Sequence, residues 1–263
     1  MPGTQRPGGG RSARGVQSSS NSKDNPPGHP SRRASRQAWT LRTLHPTREA
    51  SPHLPEHAAS LSEQKTISDF EPALIEKVAR SFPAGSSAGP SGLRPSHILE
   101  ALKRDSSGTL LEALAVFSSD FANGCLPAQA REWFCGARII GIPKIPSGVR
   151  PIAIGETLRR LVAKCLVAES QGAVAELLLP LQMGVGVPSA GEILAHGVRA
   201  WAQSAGPDEV AVLVDFANAY NTLDRQRMLD AFAERAPHFL KYAWFCYGAP
   251  CPLIGRGFRL PCW

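Results

Sequence analysis

The 263 residues predict an α/β (α+β) fold behind a disordered, basic N-terminal tail. Three observations carry this expectation. The apolar fraction is 43 %, enough for a core. From residue 66 onward apolar side chains recur at helical spacing in several segments, and β-branched or apolar runs at 138–144, 150–154 and 210–214 read as strands. The same composition excludes a wholly disordered protein. The longest apolar stretch, Leu177 to Gly191, is interrupted by Pro180 and Pro188, so no membrane span is predicted. The N-terminus lacks an apolar segment after its first charges, which predicts no secretory signal. Six cysteines form no C-x-x-C pair and no Cys/His spacing suited to structural zinc. They read as reduced, mostly buried thiols of an intracellular protein, with nucleus or cytoplasm left open.

Charge is concentrated at one end. Residues 1–65 hold ten Lys/Arg against four Asp/Glu, whereas residues 66–263 hold nineteen against eighteen. Of the first 38 residues, 18 are Gly, Pro or Ser and none is Ile, Leu, Phe, Tyr or Trp, too little apolar surface to offset ordering entropy. Residues 1–65 are therefore expected to be disordered. Two roles fit such a tail: a solvated leader, or an arm meeting nucleic-acid phosphates through Arg32, Arg33 and Arg36.

Beyond it, Ser68 or Asp69 can cap a helix with Pro72 in its first turn and Leu74, Ile75, Val78 and Phe82 on one face. The glycine-rich stretch 84–92 predicts a loop. Helices are expected around Ser96–Arg104 and Thr109–Asn123, the second stopped by Gly124, and a short one from Pro127. Arg138–Lys144 and Arg150–Ile154, joined by Pro146-Ser147-Gly148, predict a β-hairpin with basic residues near its turn. A long helix from Glu156 to about Leu179, a loop at Gln182–Gly186 and a helix over Ser189–Gln203 follow. Val210–Val214 reads as a buried strand ending on Asp215, with short helices from Asp224 and Pro237 after it.

Three places carry possible chemistry. Asp215 either caps the loop after its strand or offers a hard oxygen ligand for magnesium, with the aromatic Tyr220 nearby to police the shape of a bound sugar. Lys144 and Arg150 flank a tight turn and, with Arg159, Arg160 and Lys164, form either a solvated face or a site for a triphosphate or nucleic-acid backbone. The glycines at 184, 186 and 191 lack the spacing of a dinucleotide fingerprint. No H-E-x-x-H pair and no G-x-S-x-G elbow occurs.

Four blocks in order, Ala88–Leu102, Ala137–Cys165, Leu181–His196 and Val212–Arg225, resemble the reverse transcriptase (RNA-directed DNA polymerase) domain of non-LTR retrotransposons. The resemblance covers roughly residues 85–248. It implies a right-hand polymerase, with residues 66–204 as fingers and 205–263 as a partial palm. It implies Asp215 as the first catalytic aspartate binding magnesium, Phe216 as a backbone-carbonyl ligand, and Tyr220 as the aromatic gate against a ribose 2′-OH. Lys144 and Arg150 match the residues that hold the incoming dNTP, and Gln182 and Gly184 match a loop near the template. The implied partners are an RNA template, a DNA primer and dNTP, and the implied cofactor is Mg2+.

The family continues to an aromatic-x-Asp-Asp hairpin, whereas these residues contain no Asp-Asp pair. One carboxylate cannot hold two magnesium ions, so no polymerisation by this chain alone is expected, and the Val210–Val214 strand is expected to keep an unpaired edge. Two rivals stand beside a truncated polymerase. One is a non-catalytic nucleic-acid-binding remnant of a retroelement. The other is a small-molecule enzyme pairing Asp215 with Asp224, although their nine-residue spacing suits Asp224 better as a helix N-cap.

Overall fold

The computed structural model describes residues 32–45, 51–55 and 66–262. They build ten α-helices and a four-stranded sheet of order β2-β1-β3-β4, a mixed α/β architecture. Among the described residues no helix is long and apolar enough to cross a membrane.

The helical layer comes first in the chain. Helix α2 spans Pro72–Arg80, with Pro72 in its first turn, where a missing N–H is harmless. Its N-cap is Glu71, without a side-chain cap bond, and not Ser68 or Asp69 as expected. Those residues lie further out because 66–70 is tied down elsewhere: Phe70 donates its N–H to Ser119 Oγ (2.8 Å) and is itself buried. Helix α3 (Pro95–Arg104) and α4 (Thr109–Ala122) follow the predicted spans closely. Helix α4 ends at Gly124, whose φ of +65° is left-handed; Gly124 and Cys125 donate N–H bonds back to Phe121 and Asp120, closing two orphan carbonyls.

Phe121 is fully buried, and its ring lies 5.3–6.0 Å from those of Phe117, Phe134, Tyr242 and Phe245. It therefore binds α4 to α5 (Arg131–Cys135) and to α10 (Leu240–Tyr247), an aromatic cluster in favourable tilted and edge-on arrangements. Next to it Asn123 is buried and uses its whole amide. Its Oδ1 accepts from the N–H groups of Thr66 (2.9 Å) and Ile67 (3.0 Å), while Nδ2 donates to Ile67 O (3.0 Å) and Ser119 O (2.9 Å).

Strands β1 (Ala137–Pro143) and β2 (Val149–Gly155) form the predicted antiparallel hairpin, its turn closed by Lys144 N–H to Gly148 O (3.0 Å). Helix α6 (Thr157–Leu178) leaves β2 directly, capped by Glu156. Helix α7 (Ala190–Ser204) buries none of its residues. Helices α8 (Ala219–Thr222) and α9 (Arg225–Arg235) precede α10, and Leu229 and Leu240 join α9 to α10 in a separate apolar cluster. Two strands were not anticipated. Cys251–Gly255 (β3) runs parallel to β1, and Phe258–Cys262 (β4) returns antiparallel to it. The segment is short and proline-bearing, and its partner β1 lies more than 100 residues earlier, so local pattern alone did not reveal it.

Two expectations are corrected. Residues 210–214 form no strand; Val210, Val212, Leu213 and Val214 are 69–92 % exposed. A strand needs a neighbour for its backbone groups and a surface to cover, and in the described sheet the second side of β1 is taken by β3. The stretch 1–65 is not wholly without structure, because Arg32–Thr43 forms helix α1. Leu41 of α1 is buried against Ala137, Ile139 and Leu253 of the sheet, the apolar anchor that the preceding residues lack. Residues 1–31, 46–50 and 56–65 lie outside the described residues, as do the side chains of Arg32, Arg33 and Arg36. The expected division at residue 205 is crossed by the pairing of β1 with β3.

Replacing Asn123 by Ala leaves several buried backbone groups without partners and is expected to destabilise the fold by about 2–3 kcal/mol. Urea unfolding followed by circular dichroism measures it, and a loss near zero would contradict the role given to Asn123.

Candidate functional site

Three of the four sequence blocks meet. The loop of the first block lies flat on the start of α6: a Cβ on Gly89 would come within 2.7 Å of Gly155 O and Glu156 Cα. Ser91 donates both its hydroxyl (2.7 Å) and its N–H (3.1 Å) to the buried Glu156 carboxylate, and Thr157 Oγ1 donates to Leu93 O (2.6 Å). Arg160 reaches back to Ser87 O (2.6 Å) from the next turn of α6. A buried carboxylate thus satisfied by three local donors is an architectural joint.

Beneath this joint lies a cavity of about 470 Å3. The second block contributes Ala153, Gly155, Arg159 and Arg160 to its wall, and the fourth contributes Tyr220, Asn221 and Arg225. The C-terminal helix and strand add Tyr242, Tyr247, Cys246 and Cys251, with Cys135 from α5. His45, after α1, also lines it, and burial holds its imidazole below the usual histidine range.

Arg159 is the centre of the wall. Its Nη1 donates to Cys135 O (3.1 Å), its guanidinium lies 5.0 Å from the centre of the Tyr247 ring, and its own carbonyl accepts from Tyr242 OH (3.4 Å). Arg225 approaches the same Tyr247 ring at 5.6 Å. Burial alone would weaken the Arg159 charge, but Cys246, Tyr247, Tyr242 and Cys135 outweigh it and keep the guanidinium firmly protonated.

The thiols respond in turn. Burial pushes Cys246 up, yet hydrogen bonding from Cys135, the Arg159 charge and the Tyr242 hydroxyl overcome it and bring the thiol down to about 7. Cys251 is lowered as well, first by its hydrogen bond with Cys135, whereas Cys135 is raised by hydrogen bonding to both neighbours. Cys165, remote from Arg159, is pushed up to about 12, chiefly by burial.

The residues singled out from the sequence are only partly assembled. Tyr220 stands at the cavity rim, 98 % exposed. Asp215 and Phe216 lie on exposed chain outside the cavity wall, their expected strand absent. Lys144 and Arg150 are exposed on the hairpin. The pairing of Ile142 with Arg150 and of Lys144 with Gly148 places both on one face as diagonal neighbours. Gln182 and Gly184 are joined to each other, Gly184 N–H donating to Gln182 Oε1 (2.7 Å), in an exposed turn. Asp224 caps α9, accepting from Arg227 N–H (3.0 Å), the role its spacing suggested, so it is not a second ligand beside Asp215.

In the sequence Arg159 and Arg160 are members of a basic run. Structurally they are interior or joint-forming groups, and Lys164, 5.2 Å from the Phe82 ring, packs likewise. The cysteine cluster was missed, because Cys135, Cys246 and Cys251 share no short spacing and meet only through the fold. A magnesium site does not fit the residues present. One exposed carboxylate with one backbone carbonyl falls short of the hard-oxygen set that the ion requires. Among the described residues no group of three His, Cys, Asp or Glu is arranged to hold a metal ion.

No model of a known protein family matches the chain, and no curated protein matches it.

Because the folded-state value of Cys246 lies below its ordinary 9.0, its stabilising contribution is present above that ordinary value and is lost as pH falls through about 7. Alkylation by iodoacetamide, followed by peptide mapping, should show Cys246 reacting with a midpoint near pH 7. Tyr242→Phe should move that midpoint upward, and a midpoint at or above 9.0 in the unmodified chain would contradict the arrangement.

Proposed function

We propose that these residues form the fingers and the start of the palm of a reverse transcriptase domain of the non-LTR retrotransposon type. The family reaction is magnesium-dependent, template-directed DNA synthesis. The observation that supports the reading is the convergence of motif blocks that stand well apart in the chain, Ser91 and Glu156 being 65 positions apart. The first is keyed into the second through Ser91 and Glu156, and the second and fourth together wall one cavity.

The residues at hand supply binding and not the chemical step. Lys144 and Arg150, on one face of a projecting hairpin, offer two cations to phosphate oxygens. Ile140, Ile142 and Ile145 beside them are exposed, leaving apolar surface at the same hairpin for bases or sugars. Tyr220 at the cavity rim is placed where an aromatic face can stack. Asp215 is the one carboxylate in these residues that the resemblance assigns to magnesium. A non-catalytic nucleic-acid-binding remnant is favoured as the second reading by the exposed, unsupported position of Asp215.

Two experiments test this. With a primed RNA template, dNTP and Mg2+, the 263-residue chain should bind without extending the primer. Lys144→Ala with Arg150→Ala should weaken binding to single-stranded RNA and reduce the slope of log K against log salt by about 1.4, two phosphate contacts at about 0.7 each. An unchanged slope would remove the hairpin from the interface. Sequencing the transcript past codon 263 separates the two readings. An in-frame aromatic-x-Asp-Asp run downstream makes Asp215 part of a working polymerase, whereas a stop leaves binding alone.

A further inference from the structure

Cys135, Cys246 and Cys251 come from three different elements, the end of α5, the helix α10 and the strand β3, yet they meet in the cavity wall. The Cys135 thiol donates to the carbonyl of Phe245, the residue before Cys246 (3.7 Å), and the Cys251 thiol lies 3.9 Å from the carbonyl of Cys246 itself. All three are free thiols and almost fully buried by their packing, and they are the described cysteines that line the cavity. Cys165 sits in the core away from it, and Cys125 is exposed at the end of α4. The half-buried guanidinium of Arg159 lines the same cavity, donates to the Cys135 carbonyl (3.1 Å), and has no carboxylate in the ion pairs of the described residues. Its compensation comes from sulfur and phenol groups.

We propose that Cys246 and Cys135 form a peroxide-responsive dithiol in the cavity wall, with Cys246 the sulfur attacked first and Cys135 the one that resolves it.

The chemistry follows from the neighbours. Arg159 stabilises a Cys246 thiolate, the nucleophilic form, and the cavity of about 470 Å3 admits a molecule as small as hydrogen peroxide. The Cys246 sulfur attacks one peroxide oxygen. An S–O bond forms, the O–O bond breaks, and the departing hydroxide takes up a proton to leave as water. Cys246 is then a sulfenic acid. The Cys135 sulfur, in the same cavity wall, attacks the Cys246 sulfur; an S–S bond forms and the S–O bond breaks. The hydroxide leaves with the Cys135 proton as a second water. Two thiols lose two electrons, and one peroxide is reduced to two waters. A dithiol reductant reverses the step.

Closure has a local consequence. The thiolate beside Arg159 is replaced by a neutral sulfur, so the guanidinium loses part of its counter-charge and the cavity wall becomes more positive. The bond also ties α5 to α10, two helices that already pack around Phe121. None of this depends on the polymerase reading, because the readout is covalent.

The test treats the purified 263-residue chain with a small excess of hydrogen peroxide, blocks remaining thiols and maps peptides by mass spectrometry. A linked peptide pair containing Cys135 and Cys246, lost on reduction, is the expected result. In Cys135→Ser the linkage should be lost and dimedone should trap a sulfenic acid at Cys246. In Cys246→Ser the oxidation at Cys135 should be lost. Cys165→Ser and Cys125→Ser should leave the linkage intact. A dominant Cys135–Cys251 bond would overturn the choice of Cys246. Oxidation confined to Cys125, or Cys246 found unmodified, would overturn the switch altogether. The mapping of the unsubstituted chain decides this even if a serine variant fails to fold.

Discussion

The enclosure of Arg159 is the constraint from which much of this molecule follows. A half-buried guanidinium is tolerated only when its donors and charge are answered, and among the described residues no carboxylate ion pair does so. The answer comes from the Cys135 carbonyl, the Tyr247 ring face, and the sulfur and phenol groups of α5 and α10. Two elements far apart in the chain must therefore close around one turn of α6. That closure brings β3 beside β1, leaves a cavity on the outer side of the guanidinium and sets the acidity of the thiols around it.

The aromatic cluster at Phe121 and the polar joint at Asn123 make that closure stable from the other side. Phe121 contacts Phe134 and Phe245, the neighbours of Cys135 and Cys246 in sequence, so the core and the cavity wall share the same two helices. Asn123 holds the chain at Thr66 and Ile67 against α4. Glu156 does the same for the loop at Gly89–Ser91, with the glycine needed because backbone lies where a Cβ would be. These three contacts explain why the buried core gathers in α2, α4, the first half of α6 and α10. Helix α7 and the 210–216 segment, which reach none of them, stay exposed.

Most helices and the β1–β2 hairpin were legible because their signals are local: Pro72 and Pro95 at helix starts, Gly124 at a helix end, and the alternation through Ile139 to Ile154. The capping role of Asp224 was legible for the same reason. The candidate site was less so. Asp215 stands out because it follows an apolar run that resembles a buried strand, and that run finds no partner among the described strands. Lys144 and Arg150 could be placed on one hairpin face, since a two-strand register is a short-range property.

By itself, then, the sequence determined most of the helices between residues 72 and 204 and the hairpin with its basic face. Only the tertiary structure decided that β3 joins β1, that Leu41 anchors a helix in the basic tail, and that Arg159 and Arg160 turn inward. It alone brought Cys135, Cys246 and Cys251 to one place. The reason is physical. A cap, a turn or an amphipathic period is written within a few residues. The environment of a buried cation depends on which distant elements happen to close over it, and no local pattern carries that information.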